Sequence, residues 1–193
     1  LCLETKQNQT KPMKLKSIVA ASLAASITCA VSHATALTWD GATNSNWNTT
    51  TANWSTATWT NGDDAIFGAT GAGSVTIASG GVSANSLTFN APGYSIGGDY
   101  LTLTGSAEIT TNSDVTIGGI LGTAGLVKSG AGTMTFATWY PSGGFSGPIT
   151  VNAGQLNITQ ALNNATMGSG NSAVTIASGA GMMLDCQRWG TTS

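Results

Sequence analysis

The sequence predicts an all-β solenoid, a chain wound into stacked coils of short strands behind a Trp-rich amino-terminal cap, and three observations carry that expectation. An apolar-Thr-apolar triplet recurs seven times, as Val75-Thr76-Ile77, Leu87-Thr88-Phe89, Leu101-Thr102-Leu103, Val115-Thr116-Ile117, Met134-Thr135-Phe136, Ile149-Thr150-Val151 and Val174-Thr175-Ile176. In each, both apolar side chains fall on one face of a strand and the hydroxyl on the other. The hexapeptide VTIASG at Val75–Gly80 returns letter for letter at Val174–Gly179, which marks internal repetition. Glycines such as Gly130, Gly132, Gly143, Gly147 and Gly154 separate the apolar pairs, where sharp corners call for positive φ.

An antiparallel β-sandwich is the alternative, since it would use the same alternating strands and turn residues. Like triplets suit parallel coils, in which similar residues stack into ladders, and their uneven spacing suits loops of varying length leaving a common core. The solenoid is therefore the preferred reading.

Taken in order, residues 1–12 end in Lys11-Pro12, carry no structural pattern and read as upstream translation. Met13 opens a targeting segment, 13–36, with Lys14 and Lys16, an apolar run from Ile18 to Ala30, and Ala34-Thr35-Ala36. These are the basic, greasy and small-residue regions of a secretory signal peptide. The run is shorter than the ~20 residues of a membrane span, so the chain is read as exported, to the cell surface or beyond, with Leu37 first in the mature form. Ser26-Ile27-Thr28 before Cys29 fits a lipidation site poorly.

Removing 1–36 removes Cys2, Cys29 and His33, which leaves Cys186 as the one thiol and no histidine. A lone cysteine builds no internal disulfide. Charge is scarce as well: 7% of the 193 residues are charged, against about a quarter in ordinary soluble domains. The mature part sets Lys128 and Arg188 against Asp40, Asp63, Asp64, Asp99, Glu108, Asp114 and Asp185. Two isolated cations make no phosphate-binding patch, so nucleic acid is excluded as a partner.

Residues 37–69 form the cap segment, which concentrates Trp39, Trp47, Trp54 and Trp59 among Asn and Thr and closes on an Asn61-Gly62 turn. Residues 70–193 hold the triplets and read as the β-helical repeat region. Near its end, Met182-Met183-Leu184-Asp185-Cys186 starts like another rung and then loses the rhythm, so the chain is expected to be truncated there, with an open end that frays or self-associates end to end.

Leu126 to Ile158, with Val127-Lys128-Ser129-Gly130-Ala131-Gly132-Thr133-Met134-Thr135-Phe136, Phe145-Ser146-Gly147 and Ile149-Thr150-Val151-Asn152-Ala153-Gly154-Gln155-Leu156, resembles the autotransporter-associated β-strand repeat of bacterial surface proteins. The Trp-rich opening and Ala84-Asn85-Ser86-Leu87-Thr88-Phe89-Asn90-Ala91 are similar to the amino-terminal part of proteins that carry such repeats. The resemblance implies a right-handed, single-stranded parallel β-helix, displayed at or shed from the cell surface and acting in adhesion or as a stalk. It supplies no catalytic residues. Ala137-Thr138-Trp139-Tyr140-Pro141 departs from the pattern, which usually has a small polar link there.

The chemistry left open is limited. Without histidine, Ser-His-Asp and Cys-His arrangements and the common His-containing metal sites are excluded, and no cofactor or metal is expected. A polysaccharide lyase or pectinase on a β-helix would need clustered acids beside Lys or Arg, which this sequence supplies poorly. Asp63-Asp64 follows Asn61-Gly62 and reads as a turn, and Lys128 reads as a structural residue near a corner. Trp39, Trp47, Trp54, Trp59, Trp139 and Tyr140 are candidates for stacking on sugar rings, as in a carbohydrate-binding module, although rings in so uncharged a chain are more often buried. The expected partner is an extracellular or cell-surface polysaccharide or protein, and the function a non-enzymatic structural or adhesin-type one.

Overall fold

The computed structural model describes residues 34–137, 146–159 and 173–185, all within one compact unit, His33–Ser193. Residues 1–33, Trp139, Tyr140 and Cys186 lie outside the described residues, as does most of the link around Pro141, whereas the last three residues read as signal segment, Ala34 to Ala36, are described and Ala36 already pairs with Asp64. The described residues contain strands and no α-helix. In chain order the strands are β1 (Ala36–Trp39), β2 (Asn46–Trp47), β3 (Ala52–Trp54), β4 (Ala57–Thr58), β5 (Asp64–Phe67), β6 (Ser74–Ile77), β7 (Val82–Phe89), β8 (Tyr94–Gly98) and β9 (Leu101–Thr111). They continue with β10 (Val115–Ile117), β11 (Ile120–Leu121), β12 (Leu126–Ser129), β13 (Thr133–Phe136), β14 (Ile149–Val151), β15 (Gln155–Thr159), β16 (Val174–Ile176) and β17 (Gly181–Asp185).

Two sheets take the strands alternately. One runs β16-β14-β12-β9-β7-β5-β1 and ends in β3 and β4; the other runs β17-β15-β13-β10-β8-β6-β2. Every strand of the second sheet is thus preceded in the chain by a strand of the first, and each coil contributes one rung to both. Neighbouring coils pair in parallel throughout. Hairpin partners would have to run antiparallel, so the sandwich is set aside and the β-solenoid stands. The antiparallel pairs among the described residues are β1–β3 and β3–β4, a small meander at one end of the first sheet.

A third, narrower face appears where β7 and β9 bend. Val82 to Ala84 pair with Leu101 to Leu103, the register shifts between Ala84 and Ser86, and Ile120-Leu121 of β11 continue the face beyond Leu101-Thr102. Along the first sheet the register steps Ala36↔Asp64↔Ser86↔Glu108↔Val127↔Thr150↔Thr175, so coils consume between 19 and 28 residues. The excess leaves as loops at the corners. The recurrent triplets occupy all three faces: Val75–Ile77 and Val115–Ile117 lie in the second sheet, Leu87–Phe89 in the first, and Leu101–Leu103 in the third. Even the identical hexapeptides are not equivalent, since β6 holds one in the second sheet and β16 the other in the first.

The core is a set of ladders one strand spacing, about 4.8 Å, apart. Tyr94↔Val115↔Met134↔Leu156↔Met182 runs up the second sheet, and Trp39↔Phe67↔Phe89↔Thr111 up the first. The rings of Phe67 and Phe89 stack at 4.6 Å with planes 7° apart. At the corner after β12, Gly130 has φ +79°, and a Cβ there would run into the Thr111 carbonyl. Gly154 (φ +65°) occupies the matching corner one coil on, against the carbonyls of Gly130 and Gly132. Glycine is required at both places to let the coils nest. In the outermost described strands of the two sheets, Val174, Ile176 and Leu184 are each between 42% and 47% exposed.

Candidate functional site

The four tryptophans of the amino-terminal segment converge on the end of the column that carries the meander. Trp54 meets Trp39 at 5.1 Å, Trp47 at 5.0 Å and Trp59 at 4.6 Å between ring centroids, and Phe67 closes the cluster at 5.6 Å. Edge-to-face and offset contacts of this kind add to burial. Trp39 donates its indole N–H to the Gly71 carbonyl and Trp59 to that of Ser83, both at 3.1 Å. Asn53, fully enclosed, fixes the loop that brings Trp47 in: its Oδ1 accepts the N–H of Thr43 and Asn44, and its Nδ2 donates to the Asn46 carbonyl.

All four indoles are at most 1% exposed. A sugar ring stacks on an open aromatic face, and these rings spend theirs on one another. The stacking role considered for Trp39, Trp47, Trp54 and Trp59 is therefore corrected to a core role, while Trp139 and Tyr140 lie outside the described residues. Burial of four rings of roughly 150–250 Å² contributes on the order of 15–25 kcal/mol gross as an upper bound. The indole N–H groups of Trp47 and Trp54 have no acceptor, which costs about 1–3 kcal/mol each and is outweighed by that burial.

Lys128 is the unusual polar group. Leu126 points inward from β12, and alternation sends the residue two further along the same way. The ladder through it reads Leu37↔Ala65↔Leu87↔Ile109↔Lys128↔Val151↔Ile176, so a lysine occupies a rung that is apolar elsewhere, and it is 0% exposed. Its ammonium donates to the carbonyls of Ser129 (3.0 Å) and Gly130 (2.8 Å) in its own coil and of Ala153 (2.9 Å) in the next. Three donors meet three acceptors, and the bonds tie two consecutive glycine corners together. Removal from water pulls its pKa down to about 8, with the charge of Asp114 acting in the opposite direction.

The carboxylates are dispersed in structural tasks. Asp63 accepts the N–H groups of Thr35 and Thr60, closing the turn expected there, and Asp64 accepts from Asn85 Nδ2 (2.7 Å) and Ser86 Oγ (2.6 Å) in the adjacent coil. Asp114 receives the Thr133 N–H, and Asp99 those of Gly80 and Tyr100. Among the described residues no three His, Cys, Asp or Glu side chains converge on a metal-sized site. The described residues border open hollows of about 380 Å³ beside Asp114, Thr116 and Thr135 and about 420 Å³ beside Asn61, Tyr100 and Thr102. Tyr94, whose phenol is buried between the Gly68 and Thr70 carbonyls at 2.7 and 2.8 Å, has its pKa raised by that burial.

Sequence reasoning placed Lys128 near a corner but did not place it in the core, although the alternation from Leu126 carries that signal. It also passed over Tyr100, which is 44% exposed and stands next to the inward-facing Leu101.

Among characterised proteins, the chain is 37% identical over 150 residues, 70% of its own length, to the adhesin BmaC autotransporter of Brucella suis biovar 1 (strain 1330). It spans about 4% of the length of that relative. No protein-family model matches the chain, and no solved structure matches it. The resemblance to autotransporter surface proteins is borne out by this similarity together with the β-solenoid.

Proposed function

We propose that this autotransporter-like chain is a stretch of an exported adhesin passenger, working without catalysis at the cell surface or after release. Its flanks act by presenting rows of hydroxyl and amide side chains to an external ligand. The observation that carries this reading is the 37% identity, along most of the chain, to a protein named as an adhesin. The physical arrangement agrees with it: apart from Lys128 and Thr111 the inward ladder positions are filled with apolar side chains, while outward ladders such as Ser95↔Thr116↔Thr135 offer hydroxyls in register. Such surfaces bind by extent and repetition rather than by a deep pocket. Secretion through residues 13–36 belongs to the same proposal.

The test is to display the mature chain on a non-adherent bacterial host and count bound cells on epithelial monolayers and on matrix-coated surfaces. Adhesion above the undisplayed host is expected. Circular dichroism showing intact β-structure with no adhesion on any surface would overturn the reading, and turnover of polygalacturonate by the purified chain would replace it with the lyase alternative.

A further inference from the structure

Among the described residues, eight of the nine aromatic side chains are enclosed: Trp39, Trp47, Trp54, Trp59, Phe67, Phe89, Tyr94 and Phe136 are all at most 3% exposed. Tyr100 is the exception, at 44%. It stands at the corner leading into the third face, and its position there follows from the chain. Leu101 and Leu103 point into the core, so Tyr100 and Thr102 must point out. Its backbone is held from both sides, with the Tyr100 carbonyl accepting the Val82 N–H at 3.0 Å and the Tyr100 N–H donating to Asp99 at 2.8 Å.

The ring borders the hollow of about 420 Å³ on this face. Ser83, Thr102 and Leu121 form one outward ladder across three coils, and Asn61 extends it by a fourth, its Oδ1 accepting the Ser83 N–H at 2.9 Å. Three steps of about 4.8 Å give a strip about 14 Å long. Thr104 forms part of the lining; its hydroxyl donates to the Ala84 carbonyl at 3.1 Å, which leaves its lone pairs to accept. The lining thus offers hydroxyls from Ser83, Thr102 and Thr104, a side-chain amide from Asn61, and apolar area from Tyr100 and Leu121. Among the described residues it contains no carboxylate, ammonium or guanidinium, and the nearby Asp99 spends its oxygens on the N–H groups of Gly80 and Tyr100.

We propose that this third face, centred on Tyr100 and the Asn61–Ser83–Thr102 strip, binds a neutral oligosaccharide. A pyranose has an apolar C–H face and a rim of hydroxyls, which matches one exposed ring beside a row of hydroxyl and amide partners. An anionic glycan would need Lys or Arg, and the described residues of the face supply neither. The inference rests on the adhesin reading for its biological setting alone, since the binding site is argued from the face itself.

The experiment is a backbone amide NMR titration of the mature chain with cellotriose and maltotriose, with a heparin hexasaccharide as the anionic comparison. A saturable shift centred on Gly81, Ser83 and Tyr100 with at least one neutral trisaccharide is expected, and none with heparin. Tyr100→Ala should weaken that binding about tenfold, while Tyr100→Phe should keep it, because the ring rather than the hydroxyl is the platform. Unchanged melting of both variants shows that the fold is kept. No saturable shift at the solubility limit of either sugar, equal affinity in Tyr100→Ala, or shifts centred on another face would each overturn the proposal. Parallel adhesion counts separate the two readings: sugar shifts without adhesion sink the adhesin reading and leave the site, and adhesion without sugar shifts does the reverse.

Discussion

Lys128→Met is the most informative single change, because it keeps the length of the stem and removes the ammonium that joins two corners. At pH 7 the carbonyls of Ser129, Gly130 and Ala153 lose their partner, at about 1–3 kcal/mol for each that water cannot reach. Relief of a buried charge offsets part of this, so a net loss of about 2–4 kcal/mol is expected. The pH dependence is the sharper part. The folded pKa of about 8 lies below the ordinary 10.5, so between those values the unfolded chain holds the proton and the folded chain has released it. Wild-type stability must then rise with pH across that window, by up to about 3 kcal/mol at 1.36 kcal/mol per unit. Below pH 8 both states are protonated and the contribution is flat. The variant lacks this contribution, whereas the raised pKa of the buried Tyr94 is common to both proteins and cancels in the difference. Urea denaturation followed by circular dichroism at pH 7, 9 and 10.5 should show the gap between wild type and variant widening. A gap that narrows above pH 8 would refute the reasoning, since it would mean that the three carbonyls hold the proton more strongly than burial expels it.

Other expectations follow from the packing. Trp54→Ala empties the centre of the tryptophan cluster and should cost about 3–5 kcal/mol, read as a lowered urea midpoint with β-structure retained before the transition. Acrylamide should quench the fluorescence of a chain ending at Thr138 only weakly, and its emission should be blue-shifted, because the four indoles it retains are at most 1% exposed; strong quenching would contradict the core role. Gly130→Ala meets the Thr111 carbonyl as well as an unfavourable φ, whereas Gly62→Ala meets open space at φ +97°. The first should therefore destabilise by clearly more than the ~1 kcal/mol expected of backbone strain alone at the second, as compared by thermal melts.

Much of the column is legible in the chain because strand alternation is a local property. The apolar pairs of Leu87-Thr88-Phe89 and Met134-Thr135-Phe136 do face inward, and Gly130, Gly147 and Gly154 take the positive φ expected of corners, whereas Gly132 does not and Gly143 lies outside the described residues. What the letters did not reveal is which face a triplet occupies. Face assignment depends on how many residues the preceding corner absorbs, so Val75–Ile77 and Val174–Ile176 end in different sheets despite identical sequence. Lys128 was obscured for another reason: its charge argues for solvent, and its acceptors belong to Gly130 and Ala153, which only the coil geometry brings together. Tyr100 was overshadowed by the tryptophans, whose mutual packing at the end of the column is a tertiary outcome.

The unequal coil lengths have an evolutionary implication. Because each rung touches only the rungs above and below, an insertion at a corner lengthens a loop without disturbing any inner ladder, and duplication of a whole rung adds length without redesigning what is already there. Selection is therefore free to rewrite the corners of such a protein, altering its outer surface, while the register of its interior is inherited unchanged.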